Sequence, residues 1–303
     1  MKARGGQGEA IVAWAVWALL LIVVAVTYAR VPVVDLYRVS NDGVAGGVGR
    51  AVVLSNYPIA LMAIALVLIA ADALPRRVWW AAGPAIALCS TTAFTVDPGD
   101  LDVRAVNALP TIGVVIAVGL TVAAASQTGG SFTHRLPGDP ARLVLGGVVV
   151  LLSLPWFAAD LGTYLPGDVF LTHTIVTEGE ETLAAVHIGH HHGVDGALLV
   201  LTALLLSRVR PEGRRLTTAL TAYVALMFAY GAMNAAEDVW HEQVVKRGWA
   251  DVRIPAAQIP SLSFVWLVIL ALAAVAYLGF AREQRAPGRS VGDATSPSSR
   301  EHP

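Results

Sequence analysis

Half of the eight histidines in this chain fall in one hexapeptide, His187-Ile188-Gly189-His190-His191-His192. Imidazole is a common ligand for zinc, copper and iron, and combined with carboxylates it suits zinc or non-haem iron. Ten residues upstream, Thr177 and Glu180 have the spacing of a capping box, in which a threonine hydroxyl and a glutamate three residues on satisfy the first backbone N–H groups of a helix. That spacing predicts a helix from Thr177. At about 100° per residue, Glu180, His187 and His191 then lie on one line, His190 and Asp195 flank it, and His192 turns away. A second polar stretch, Asn234 to Glu242, places Asn234, Glu237, Asp238 and His241 on one helical face.

Two histidine-and-carboxylate faces are what a metal centre between helices requires. The expected ligands are Glu180, His187, His190, His191, Asp238 and His241, around a divalent metal ion, zinc or iron. Such an ion lowers the pKa of a bound water towards neutrality, which would leave Glu237 as the general base. The chain would then be a metal-dependent hydrolase or oxidoreductase acting on a lipid or small molecule. Two other classes stay open. The same acids would suit a transporter or channel for a cation or small solute, although the inner halves of the helices concerned offer little beyond Thr202, Thr217, Thr218 and Thr221. A redox subunit binding haem would use His187 or His191 with His241 as axial ligands, against which stands the abundance of nearby acids.

The elements that must position these residues belong in a membrane. With 55% hydrophobic and 14% charged residues in 303, and a mean hydropathy of +0.62, the chain is too apolar for an ordinary soluble protein. Apolar runs near 10–29, 52–71, 78–96, 105–125, 142–160, 183–207, 216–238 and 260–281 predict an all-α integral membrane protein of about eight transmembrane helices. The first run has the length of a span and is read as a helix rather than a cleaved leader. Of the lysines and arginines, 14 fall on the side that holds both termini and 7 on the other, which predicts cytoplasmic termini and a location in the cell membrane. The histidine end of the sixth helix is then extracytoplasmic. A net charge of −1 with no basic face excludes a nucleic-acid partner; the expected surroundings are the lipid bilayer. The one cysteine, Cys89, has no partner for an internal disulfide.

Asp102-Val103-Arg104 before Pro110 is echoed by Asp251-Val252-Arg253 before Pro260, which suggests two tandem four-helix halves. The expected division is a cytoplasmic N-terminus over 1–9, a first half over 10–141, a second half carrying the acid and histidine residues over 142–281, and a disordered tail over 282–303. Other motifs are bland. Gly46-Gly47-x-Gly49 lacks the Lys-Ser/Thr of a phosphate loop, and no Gly-x-Ser-x-Gly elbow, Cys-x-x-Cys pair or His-Glu-x-x-His helix is present.

His187-x-x-His190-His191 resembles the histidine boxes of membrane desaturases and hydroxylases, several of which together hold two irons. This chain has one such box, placed on the side opposite to theirs, and no family is assigned on it.

Overall fold

A computed structural model describes residues 6–36, 39–97, 100–171, 175–178, 181–184, 186–188, 192–258 and 262–285. The described chain is helical apart from one small hairpin. In order come α1 (Gln7–Arg30), α2 (Gly43–Leu54), α3 (Ala60–Ala73), α4 (Trp79–Ser90), the single turn α5 (Thr92–Thr95), α6 (Ala108–Thr128) and α7 (Asp139–Asp160). Then follow strands β1 (Ile175–Glu178) and β2 (Glu181–Ala184), α8 (His192–Leu206), α9 (Arg214–Trp240) and α10 (Val265–Arg285).

Among the described residues, six helical segments are long and apolar enough to cross a membrane: Gln7–Arg30, Gly43–Ala73, Ala105–Thr128, Asp139–Asp160, Arg214–Val245 and Val265–Gln284. The other two predicted runs are helical but shorter: α8, and the pair α4 and α5. The burial pattern is that of a bundle in an apolar solvent. The outward faces are lined by Ile11, Leu19, Ile22 and Val26 on α1, Val115 and Val122 on α6, Leu143 and Leu151 on α7, and Leu267 and Val275 on α10. Contiguous exposed apolar faces on this scale do not occur on soluble monomers. The fold is therefore an all-α membrane protein.

The centre belongs to two segments. Gly43–Ala73 is the most buried of the long spans, and nearly every residue of α8 is buried as well. Around them α8 packs on α9, α10 on α9, α1 on α2, and α3 and α4 on α6, with α7 covering α8. Small residues let the backbones approach. A Cβ on Gly196 would lie 2.6 Å from the carbonyl oxygen of Gly231, and one on Gly231 would lie 2.6 Å from that of Gly196. This is the small-residue seam by which membrane helices pack closely in the absence of a hydrophobic drive. Side chains also bond across the bundle: Trp17 Nε1 donates to Thr202 Oγ1 at 2.9 Å and Trp14 Nε1 to Thr121 Oγ1 at 3.0 Å.

Two rims are defined by polar contacts. At one, Glu9 Oε1 accepts from the Thr133 amide at 2.9 Å, Arg208 Nε lies 3.1 Å from Asp139 Oδ1, and Arg142 pairs with Glu283 at 2.5 Å. The start of α1 and the end of α10 therefore share this rim. At the other, Thr27 Oγ1 donates to the Asp160 carbonyl at 2.5 Å, Arg30 reaches the Leu161 carbonyl at 3.2 Å, and Asp102 accepts from the Ser40 amide at 3.1 Å.

Two π-helical turns interrupt the long spans, Ser55–Ile59 and His241–Val245. The first contains Pro58, which has no N–H to continue the regular ladder and forces the widening.

One expectation fails. Thr177 does not begin a helix: it sits in β1, opposite Thr182 of β2, with Glu178 facing Glu181. The β-branched run Ile175-Val176-Thr177 favours an extended strand, and its pairing with Glu181–Ala184 overrides the capping spacing. The helix begins at His192 instead, after Gly189.

Candidate functional site

The α9 stripe stands as predicted. Asn234, Glu237 and Asp238 are all buried, and the π turn that follows brings His241 back over Glu237, so that His241 Nδ1 lies 3.2 Å from Glu237 Oε1. The other ring nitrogen of His241 accepts from the Ile254 amide at 3.1 Å. These partners assign the proton to Nδ1 and occupy both nitrogens. π turns recur at functional sites because they re-aim a side chain without breaking the helix.

Opposite this stripe stands the start of α8. His192 Nε2 lies 3.2 Å from Glu237 Oε2 and 3.4 Å from Asp238 Oδ1. The amide of Gly193 donates to Asp238 Oδ2 at 3.1 Å. A carboxylate from α9 thus caps the N-terminus of α8, where orphan N–H groups and the helix dipole favour a negative charge. Only glycine fits at 193, since a Cβ there would collide with the Asp238 carboxylate and the Trp156 indole. One turn on, Asp195 is 1% exposed.

Three further elements close the site. From α7 come Trp156 and Asp160, both 2% exposed; neither carboxylate oxygen of Asp160 has a hydrogen-bond partner among the described residues. From α2 comes Arg50, buried with its guanidinium carbon 5.7 Å from the centre of the Tyr28 ring. From the first π turn comes Tyr57, whose hydroxyl lies 2.5 Å from that of Tyr230 on α9, while Asn56 Oδ1 accepts from Thr95 at 2.8 Å.

Buried carboxylates thus come from three helices: Glu237 and Asp238 of α9 meet His192, Asp195 lies one turn into α8, and Asp160 lies one turn beyond Trp156, which abuts Gly193. Polar groups continue away from these acids down α9. Asn234 follows Glu237, then comes the Tyr230 and Tyr57 pair at mid-span, then Tyr223, whose hydroxyl donates to the Leu61 carbonyl at 2.7 Å, then Thr221, which bonds Gln284 Oε1 at 3.1 Å. Two cavities flank this line. One of about 70 Å³ lies beside Tyr230, Tyr223 and Trp266, and one of about 340 Å³ opens at the rim of the termini between Arg210, Arg214, Thr217, Thr221 and Gln284.

Of the predicted metal ligands, Asp238 and His241 are in this neighbourhood, and Glu237, the predicted base, is its most engaged carboxylate, with a histidine at each oxygen. His187 precedes α8 in irregular backbone and is partly buried. Glu180, His190 and His191 lie outside the described residues. Among the described residues no group of three or more His, Cys, Asp or Glu is arranged to hold a metal ion. The sequence reading turned His192 away from the site; the true helix start makes it the histidine that meets α9. It also missed Arg50, Tyr57 and Asn56, which belong to the other half of the chain. Gly189 and the pattern His192-Gly193-x-Asp195 are the signals that locate the real helix start.

Comparison with known protein families, with curated proteins and with solved structures finds no match to this chain.

Proposed function

We propose that the protein is a multi-pass membrane protein of eight passes, with both termini cytoplasmic, that moves a cation, in the first instance a proton, through the acid and histidine cluster between α7, α8 and α9. One observation carries the reading: four carboxylates, Asp160, Asp195, Glu237 and Asp238, are buried, and polar side chains lead from Glu237 along α9 to the opposite rim. An ionised carboxylate is costly to keep out of water without compensating positive charge. Protonation of His192 and of the acids themselves supplies that charge, and the hydroxyls of Tyr57, Tyr230 and Tyr223, with the polar cavity at the rim of the termini, supply a route for it.

The sequence reading placed transport second because the inner half of the bundle lacked polar groups. Tyr57 and Gln284, contributed by other helices, fill that gap. The test is proton flux into liposomes holding the purified protein, driven by an imposed potential and read with an internal pH dye. Flux is expected from the wild type and a fall of at least roughly tenfold, equivalent to about 1.4 kcal/mol in barrier, in Glu237→Gln and Tyr230→Phe. Absence of flux from the wild type would overturn the proposal.

The metal-dependent enzyme is the second reading. It is favoured by the placement of His192, the chain neighbour of His190 and His191, against two carboxylates of α9. Stoichiometric zinc or iron in purified protein, lost in His191→Ala and His241→Ala, would put it first; a Soret band would turn the reading to haem.

A further inference from the structure

A groove of about 720 Å³ runs between α7 and α8 from the rim of the termini towards mid-bundle, far from the acid cluster. Its mouth is formed by Arg135, Arg142 and Arg208 with Asp139. Its floor is Gly146 and Gly147 of α7 and its wall is Leu201, Leu204 and Leu205 of α8. The two glycines create the hollow: a Cβ on Gly147 would meet nothing within 4 Å, and one on Gly146 only Leu201 at 3.4 Å.

The mouth is built. Arg142 Nε donates to Ser207 Oγ at 2.9 Å and its guanidinium pairs with Glu283, while Arg208 is held by Asp139 at 3.1 Å and Glu9 at 3.6 Å. These contacts fix two guanidinium groups at the groove. The third, on exposed Arg135, makes no ion pair among the described residues. Asp139, Glu283 and Glu9 balance Arg142 and Arg208, so the guanidinium of Arg135 is the one left for an anion, and the surface below it is the outward apolar face of α7, where Leu143 is 77% exposed.

An occupant must carry an anionic head and an apolar tail, and must reach the groove from the bilayer. Basic pockets between membrane helices on the cytoplasmic side have this chemistry for lipid headgroups. We propose that the groove binds an anionic glycerophospholipid, with its phosphate at Arg135 between the two fixed arginines and an acyl chain laid over Gly146 and Gly147. The proposal rests on the membrane reading alone and is independent of cation movement.

The experiment is native mass spectrometry of the full chain in neutral detergent, titrated with phosphatidylglycerol or with phosphatidylcholine of the same acyl chains. Preferential retention of phosphatidylglycerol is expected. Arg135→Gln should weaken it about fivefold, the effect of one arginine near a membrane surface. Gly147→Phe, which fills the hollow without touching charge, should remove retention of both lipids. Neither residue is buried in a side-chain network, and an unchanged melting temperature without lipid shows that the variants fold. Equal retention of the two lipids, or unchanged retention in both variants, would overturn the site. So would competition by glycerol 3-phosphate, which has the head without the chains.

Discussion

His192 at the start of α8 and Glu237 on α9 stand 3.2 Å apart, in the interior of the bundle. The same carboxylate is held on its other side by His241, so one glutamate fastens the start of α8 to the turn that ends α9. Removing a carboxylate that two imidazoles approach forfeits hydrogen bonds to a charged group, at a cost of about 1.5–3 kcal/mol. Glu237→Ala is therefore expected to destabilise the protein by that order in detergent, followed by thermal unfolding, and Glu237→Gln by less, because the amide oxygen still accepts one histidine N–H. Equal melting temperatures for wild type and Glu237→Ala would mean that the pair is not formed.

The contact of Gly196 with Gly231 sets the distance between α8 and α9. With backbone oxygen 2.6 Å from a would-be Cβ on either side, alanine at either position must push the helices apart. Over-packing of this kind costs typically about 1–3 kcal/mol. Gly119→Ala on α6 is the control, since a Cβ there meets nothing. It should leave stability unchanged or raise it by about 0.4–1 kcal/mol through the unfolded chain. Tolerance of alanine at both 196 and 231 would rule out the seam.

Trp17 on α1 and Thr202 on α8 are joined by one hydrogen bond across a fully buried contact. Thr202→Val keeps the shape and strands the indole N–H, a loss of about 1–3 kcal/mol. Combining it with Trp17→Phe removes both polar partners, and the double variant should recover part of that loss. Simple additivity of the two single effects would argue against a direct bond.

Outside the spans, Asp102 offers a pH handle. Burial pushes its carboxyl up, but the hydroxyl and amide of Ser40 and the side chain and amide of Asn41 pull it down, and the net is below the ordinary value. A carboxyl with a lowered folded pKa adds stability that is present above its unfolded value, near 3.9, and is lost as pH falls through the folded one. Asp102→Asn should therefore be less stable than wild type at neutral pH. The difference should shrink as the pH is lowered below about 4. A gap that stays constant down the titration would show that the carboxylate charge plays no part.

The apolar runs, and with them the order of the helices, were legible because span length is dictated by bilayer thickness. The α9 stripe was legible because Asn234, Glu237 and Asp238 lie within one regular helix, where spacing fixes direction. The α8 side was not. Thr177 and Glu180 match a helix start locally, and only the pairing of two strands, a non-local fact, shows that the segment is extended. Once the helix start moves to His192, every side-chain direction computed from Thr177 is lost. Arg50, Asn56 and Tyr57 were beyond reach for another reason: nothing in their own neighbourhood of sequence says that α9 lies beside them.

The shortness of α8 places the cluster in an electrical setting. At 1.5 Å per residue its 15 residues cover about 22 Å, some 8 Å less than a hydrocarbon core of about 30 Å. With a hydrocarbon core that starts at the Leu206 end, which Ser207 and Arg208 tie to the rim of the termini, His192 and its acids would lie roughly a quarter of the way in from the far surface. A unit charge bound there crosses that fraction of the transmembrane voltage, about 0.6 kcal/mol for each 100 mV. On the proposed cation route, occupancy of the cluster would then follow the energised state of the membrane, with a short helix acting as the voltage divider.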